Sequence, residues 1–144
     1  MPDFRYARGR IEDSVQFLTE EIKEFQSDYA DKTLSDYQED KKLQKLMDRT
    51  VENILTALIE ACGTVLAEEG IRAENYGEVL GKCGKFMGLS ESEQKILSGL
   101  AIQRNRLAHR YLNFRWQAIK MYKDNKDAVM KLVQAVLERE KKKR

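Results

Sequence analysis

Residues 104–111 read RNRLAHRY and contain the only histidine of the 144-residue sequence, with three arginines around it and a tyrosine two positions later. Imidazole, with a reference pKa of about 6.5, exchanges protons at neutral pH. A guanidinium can hold the oxygens of a phosphoryl group through two parallel hydrogen bonds. These residue types suit phosphodiester cleavage. A lone histidine at a helix edge is more often structural, so its neighbours must decide between a solvated basic turn and a reaction centre.

A helical wheel places Arg104 at the centre of an apolar stripe. The stripe lies within roughly 60° of Arg104 and comprises Leu97, Leu100, Ala101, Leu107, Ala108 and Tyr111. Burial of a guanidinium there is costly unless it meets an anionic partner, a strongly hydrogen-bonded site or a cleft open to a charged ligand. Asn105 and His109 lie four residues apart at the edge of the stripe, so their side chains can meet or converge on one ligand.

The single histidine also bears on quaternary structure. Cleavage of RNA by attack of its own 2′-hydroxyl is helped by both a base and an acid, and one chain supplies one imidazole. A two-fold dimer would bring His109 and Arg104 of both subunits to one cleft, because a two-fold interface repeats the same patch on each side. We therefore predict a homodimer.

Charge is distributed unevenly along the chain. Residues 101–144 contain 13 basic and 4 acidic residues, whereas residues 1–100 contain 13 and 20. A basic segment on an acidic body suggests a face that attracts RNA or DNA. Arg106 and Arg110 fall on the polar side of the wheel with Gln103, and together with Arg115 they are the predicted RNA-binding residues. The alternative is a set of solvated helix faces and a frayed basic end at 138–144.

Composition and periodicity predict one all-α domain over residues 1–144, an antiparallel bundle of four to five helices with a short basic tail at about 139–144. Apolar residues recur at helical spacing over 11–29 and 43–65, and shorter helices are expected at 76–87 and from Ser90 into the motif. The last helix is expected at about 114–138, and 31–40 as a connection without an element. The start of the chain lacks the apolar core of a signal peptide, so we expect a cytoplasmic protein and no membrane segment.

Other catalytic and ligand-binding patterns are not supported by the sequence. The glycines of GKCGKFMG (81–88) lack the order of a phosphate-binding loop, and close helix packing explains them better. There is no G-x-S-x-G pattern, and Glu68 and Glu69 are adjacent on a helix and point apart. Cys62 and Cys83 lack CxxC spacing, and with one histidine they cannot complete a usual zinc site. We predict reduced core cysteines, no metal and no cofactor.

Arg104, Asn105, His109 and Tyr111 together form R-x4-H-x-Y with Asn directly after the Arg, and this pattern resembles the signature of HEPN-domain toxins of the HepT type. The resemblance covers essentially the whole chain. It implies a metal-independent endoribonuclease toxin of a type II toxin–antitoxin pair, acting as a homodimer. Arg104 and His109 would be catalytic, and Asn105 would assist them. Tyr111 would be the position at which a partner nucleotidyltransferase antitoxin of the MntA type attaches AMP.

The sequence departs from this pattern after the histidine. Relatives often carry acidic residues there, where Arg110 and the stretch LNFRW stand instead. Two alternatives stay open. One is a non-catalytic HEPN-type module that binds a nucleotide or a nucleotidyltransferase. The other is a structural adaptor in which Arg104 forms an internal salt bridge to Glu52 or Glu60.

Overall fold

The computed structural model describes residues 10–109 and 114–143. Within these ranges the chain is all-α, with no strand. The helices are α1 (Arg10–Asp28), α2 (Leu34–Glu39), α3 (Lys41–Glu68), α4 (Tyr76–Phe86), α5 (Glu91–Ala108), α6 (Arg115–Asp124) and α7 (Lys126–Lys142). The predicted all-α bundle is confirmed, although the described ranges contain seven helices rather than four or five.

Side-chain caps fix the starts of the two helices that matter most for the site. At α3, Asp40 Oδ1 accepts hydrogen bonds from two backbone N–H groups of the first turn. At α5, Ser90 and Glu93 form the predicted capping box, in which each side chain accepts from the other residue's backbone N–H at 3.1 and 2.9 Å. Gly88, which precedes this cap, adopts φ +83°, a left-handed conformation that favours glycine.

Helix α3 is the centre of the bundle and contacts each of the other six described helices. Helix α1 packs antiparallel to it, since Asn53 Nδ2 donates to Glu21 Oε1 at 2.7 Å while residues 13–17 face residues 56–60. By length and composition α3 could cross a membrane. However, 72% of its most apolar window is buried within the domain, as expected for a central core helix.

Residues 31–40 differ from the prediction, because α2 lies there. Thr33 caps this helix, and its hydroxyl and the Asp36 carboxylate accept hydrogen bonds from each other's backbone N–H. Tyr37 on the same helix is buried. A capping box and one buried ring stabilise a six-residue helix that is too short to show apolar periodicity.

The predicted single helix at 114–138 is also wrong, since α6 and α7 meet at Asn125. The backbone of Asn125, at φ −120° and ψ 20°, leaves the helical conformation. Its side chain donates to Met121 O at 2.8 Å, a carbonyl that also accepts from the Asn125 backbone N–H at 3.2 Å. Helix α7 then continues to Lys142, beyond the predicted end.

Two of the three glycines of the 81–88 segment, Gly81 and Gly84, serve helix packing, as predicted, whereas Gly88 provides the left-handed turn. A Cβ on Gly81 would lie 2.5 Å from Ser98 Oγ, and one on Gly84 would lie 3.3 Å from Leu97 Cδ1, so both permit close approach of α4 to α5. The cysteines are also as expected: Cys62 and Cys83 are buried free thiols. A hydrogen bond with Cys83 and burial raise the pKa of the Cys62 thiol well above its ordinary value.

The described part of the basic tail is held against α3. Arg139 pairs with Glu68 and Glu69 at 3.0 and 2.8 Å, and Lys143 pairs with Glu68 at 2.6 Å. Burial opposes ionisation of Glu68, but its hydrogen bonds to Lys143 and Arg139 outweigh this and lower its pKa. These two cations therefore join α7 to the end of α3.

Candidate active site

The last turn of α5 brings Arg104 and Asn105 together. Arg104 is partly buried, and its Nε donates a hydrogen bond of 3.2 Å to Thr56 Oγ1 on α3. Its Nη1 makes a longer hydrogen bond, 3.5 Å, to Asn105 Oδ1. The wheel therefore placed Arg104 correctly on the side of α5 that faces the bundle. A hydroxyl and an amide, both neutral, orient the guanidinium.

No carboxylate of the described residues forms an ion pair with Arg104 within 4.0 Å, and this includes Glu52 and Glu60. Thr56 lies between these two on the same face of α3, one turn from each, and it occupies the position at which the adaptor alternative placed an acidic partner. The charge of Arg104 is thus oriented without being neutralised by a carboxylate of the described chain. A partly buried cation in this state favours binding of an anion.

His109 ends α5. Its backbone, at φ −97° and ψ 83°, leaves the helical conformation, while its N–H still donates to Asn105 O at 3.0 Å. The residue is exposed. Asn105 therefore contacts both candidates, Arg104 through its side chain and His109 through its backbone carbonyl.

The helix ends earlier than the wheel assumed. Helix α5 stops at Ala108, whereas the wheel assumed one continuous helix through residue 111. Tyr111 and Arg110 themselves lie outside the described residues, so their predicted roles stay predictions.

The comparison with protein families matches residues 18–126 to the model described as ribonuclease HepT-like. This range is most of the chain and contains the whole R-x4-H-x-Y motif. The chain belongs to the HepT-like ribonuclease family. No curated protein and no solved structure matches the sequence significantly.

Membership of the HepT-like family supports the ribonuclease prediction in its general form, a HEPN-type RNase. The matched range begins at Leu18 within α1, continues through α6 and ends at the first residue of α7. Across the described residues, no group of three or more His, Cys, Asp or Glu side chains is arranged to hold a metal ion.

Arg106 lies in a different environment from the predicted one. Its wheel neighbour Gln103, expected on the polar side, is 8% exposed, because α5 is covered on this side as well. Arg106 Nη1 donates to Gln103 Oε1 at 3.0 Å, and its guanidinium lies 5.3 Å from the centre of the Phe114 ring. Arg106 therefore contacts both Gln103 on α5 and Phe114, the residue before α6.

Arg115, the third predicted RNA-binding residue, forms an ion pair with Asp48. Its Nε lies 3.1 Å from Asp48 Oδ2, and the Asp48 side chain is only 3% exposed. Asp48 Oδ1 also accepts a hydrogen bond of 2.7 Å from the Tyr37 hydroxyl. Burial and the bond to Asp48 raise the pKa of Tyr37 to about 12, so its hydroxyl stays protonated and donates at neutral pH. This cluster ties α2 and α6 to α3.

Sequence reasoning missed Thr56 and Asp48. Asp48 carries a detectable signal, because it is an acidic residue next to Met47 in an apolar helix, and a buried acid needs partners. Thr56 carries only a weak one, its position on the same α3 face as Glu52 and Glu60.

Proposed function

We propose that this HepT-like protein is a metal-independent endoribonuclease, the toxin of a type II toxin–antitoxin pair, in which Arg104 and His109 are the catalytic residues. The observation that carries the proposal is the state of Arg104. It is partly buried, hydrogen-bonded by Thr56 and not ion-paired to any carboxylate of the described chain. His109 follows just over one turn later at the exposed end of the same helix. The pair therefore offers an oriented cation beside a group that transfers protons.

In the proposed reaction the 2′-hydroxyl of RNA attacks the adjacent phosphorus and the bond from phosphorus to the 5′-oxygen breaks. The products are a 2′,3′-cyclic phosphate and a 5′-hydroxyl. Imidazole takes the proton of the 2′-hydroxyl, and imidazolium returns one to the leaving 5′-oxygen. The guanidinium of Arg104 stabilises the charge that develops on the phosphoryl oxygens. Asn105 assists by holding Arg104.

A homodimer would supply both protonation states of imidazole from two copies of His109. Support comes from Ile102, which is 59% exposed. It precedes Asn105 and His109 by three and seven residues, so the three share one face of α5 up to its end. An exposed apolar residue beside polar candidates suits a two-fold interface that passes through the site. Light scattering of the isolated protein checks this, and a strict monomer at micromolar concentration would contradict it.

Family resemblance further supports control by an MntA-type nucleotidyltransferase that attaches AMP to Tyr111. The added phosphate would bring negative charge close to the motif, where it could compete with RNA phosphate for Arg104. Tyr111→Phe should keep much of the cleavage activity and escape inhibition by the partner and ATP. Finding AMP on another residue after co-expression would contradict this assignment. A cytoplasmic location belongs to the same proposal.

The central experiment is cleavage of single-stranded RNA in EDTA by wild type, Arg104→Ala and His109→Ala. Loss of a proton-transfer group lowers the rate by a factor of about 100 to 10,000, so we expect a loss of at least about 100-fold for His109→Ala. Arg72→Ala is the matched control, because the Arg72 side chain is 85% exposed and pairs with Glu74 on the surface. Unchanged cutting by either folded site variant would refute the assignment. RNA binding without turnover by the wild type would instead favour a non-catalytic module.

A further inference from the structure

A cleft of about 350 Å³ lies between α2, the start of α3 and the start of α6. Its walls combine two aromatic rings, three amides, one cation and one aliphatic side chain: Tyr37, Trp116, Gln38, Gln44, Gln117, Arg115 and Leu34. The volume lies at the lower end of small-ligand sites, which measure about 300–1,000 Å³. Aromatic faces and amides are the groups that proteins use to stack and hydrogen-bond an unpaired base.

The charge of this cleft distinguishes it from three other clefts formed by the described residues. No carboxylate lines it among the described residues. Each of three other clefts has at least two carboxylates on its walls, which are Glu12, Glu20 and Glu140 in one, Glu78 and Glu91 in the second, and Asp13 and Glu60 in the third. Carboxylates repel a polyanion, so among these four clefts this one has the electrostatics that suit RNA best.

Contacts within the protein hold two walls of the cleft in place. Asp48, beneath it, accepts from the Tyr37 hydroxyl and pairs with Arg115, which fixes one wall from α2 and one from α6. The Tyr37 and Trp116 ring centres lie 5.2 Å apart with a 47° tilt. These rings already touch, so a base would stack on the Trp116 surface that lines the cleft rather than enter between the rings. A pre-formed stacking surface loses little entropy on binding.

The cleft lies near the candidate active site along the chain. Arg115 follows His109 by six residues, and six residues span at most ~20 Å when fully extended. We propose that this cleft, named here the Trp116 cleft, is a base-binding subsite for single-stranded RNA. It would hold one unpaired base while a neighbouring phosphodiester reaches His109. This inference rests on the proposed ribonuclease function and adds its substrate-binding residues.

Trp116 is the only tryptophan of the sequence, so its fluorescence reports on the cleft directly. The test titrates a single-stranded oligoribonucleotide of mixed sequence into the full-length His109→Ala protein, which is expected to leave the RNA intact. Stacking should quench the fluorescence to saturation. Stacking of one base contributes about 1–3 kcal/mol, so Trp116→Ala on the same background should raise Kd, measured by anisotropy of labelled RNA, by about 5- to 150-fold. Trp116→Phe should retain most of the affinity.

One further variant keeps the test valid if Trp116→Ala does not fold, and two control variants accompany it. Gln117→Glu adds a negative charge to an exposed position of the cleft and should weaken RNA binding severalfold. Its matched control is Gln26→Glu, where the new carboxylate still accepts from Lys126 and lies outside the cleft. Phe86→Ala removes an exposed aromatic side chain from α4, outside the cleft, and should leave Kd unchanged.

The outcomes separate this inference from the proposed function. If the oligonucleotide binds without quenching, or if Trp116→Ala and Gln117→Glu keep the Kd of the parent protein, the subsite is refuted even when the wild type cuts RNA. If the wild type does not cut but quenching and both losses of affinity appear, the subsite stands and the nuclease proposal fails. Binding of AMP alone as tightly as the oligonucleotide would overturn the assignment to RNA and favour a mononucleotide.

Discussion

Replacement of Thr56 by valine tests whether the contact from α3 orients Arg104 for catalysis. Valine has nearly the same shape as threonine but lacks the hydroxyl that accepts from Arg104 Nε at 3.2 Å. A hydrogen bond to a charged group contributes about 1.5–3 kcal/mol. Because Arg104 is only partly buried and solvent screens its charge, we expect about 1 kcal/mol, a loss of roughly fivefold in kcat/KM.

The assay is steady-state cleavage of a fluorogenic oligoribonucleotide in EDTA, with thermal unfolding measured in parallel. The loss should fall on kcat, because Thr56 would act as a positioning residue through Arg104, and Thr56→Ser should restore activity. Thr64→Val is the matched control: Thr64 lies on the same helix, is buried, and its hydroxyl donates only to the Glu60 carbonyl at 2.9 Å. Wild-type kcat/KM in Thr56→Val, or an equal loss in Thr64→Val, would refute the reasoning.

Three further predictions concern stability and reactivity. Gly81→Ala should destabilise the protein by about 1–3 kcal/mol in thermal unfolding, because its Cβ would lie 2.5 Å from Ser98 Oγ. In the control Gly99→Ala, the new Cβ would lie 2.8 Å from the flexible end of a methionine, so the loss of stability should be smaller. Equal losses would contradict this packing argument. The Glu93 carboxylate accepts from the N-cap backbone N–H, and this lowers its pKa below the ordinary 4.5. Its stabilising contribution is therefore complete above that pH and is lost as pH falls through the lowered pKa, so wild type and Glu93→Gln should differ in Tm at neutral pH and converge in acid. The raised pKa of buried Cys62 predicts that iodoacetamide leaves this thiol unmodified in the folded protein and alkylates it in denaturant, and rapid labelling of the native state would be inconsistent with its burial.

Elements that depend on neighbours along the chain could be predicted from the sequence. The start of α5 follows from Ser90 and Glu93, which are three residues apart and cap each other. The long stripes of α1 and α3 follow from apolar spacing, since one face of each helix must be buried. The motif residues were found because Arg104 stands within such a stripe, a conflict between pattern and charge that indicates a functional position.

Predictions from local sequence patterns were wrong where contacts between distant residues determine the structure. Helix α2 depends on a buried Tyr37 bound to Asp48, eleven residues away, and Gln103 is buried because neighbouring helices cover both sides of α5. The end of α5 at Ala108 was missed as well, since nothing before His109 breaks the helical pattern.

The sequence by itself determined the helical class, the motif and the orientation of Arg104 toward the bundle, because these depend on residue type and on the rotation of 3.6 residues per turn. Only the tertiary structure decided which side chain accepts a hydrogen bond from Arg104 Nε. Glu52, Thr56 and Glu60 share one face of α3. The position along α3 at which α5 packs brings Arg104 to Thr56, 48 residues earlier in the chain. The close packing of whole helices sets this position, and every core side chain contributes to it. No local segment of the sequence therefore encodes it.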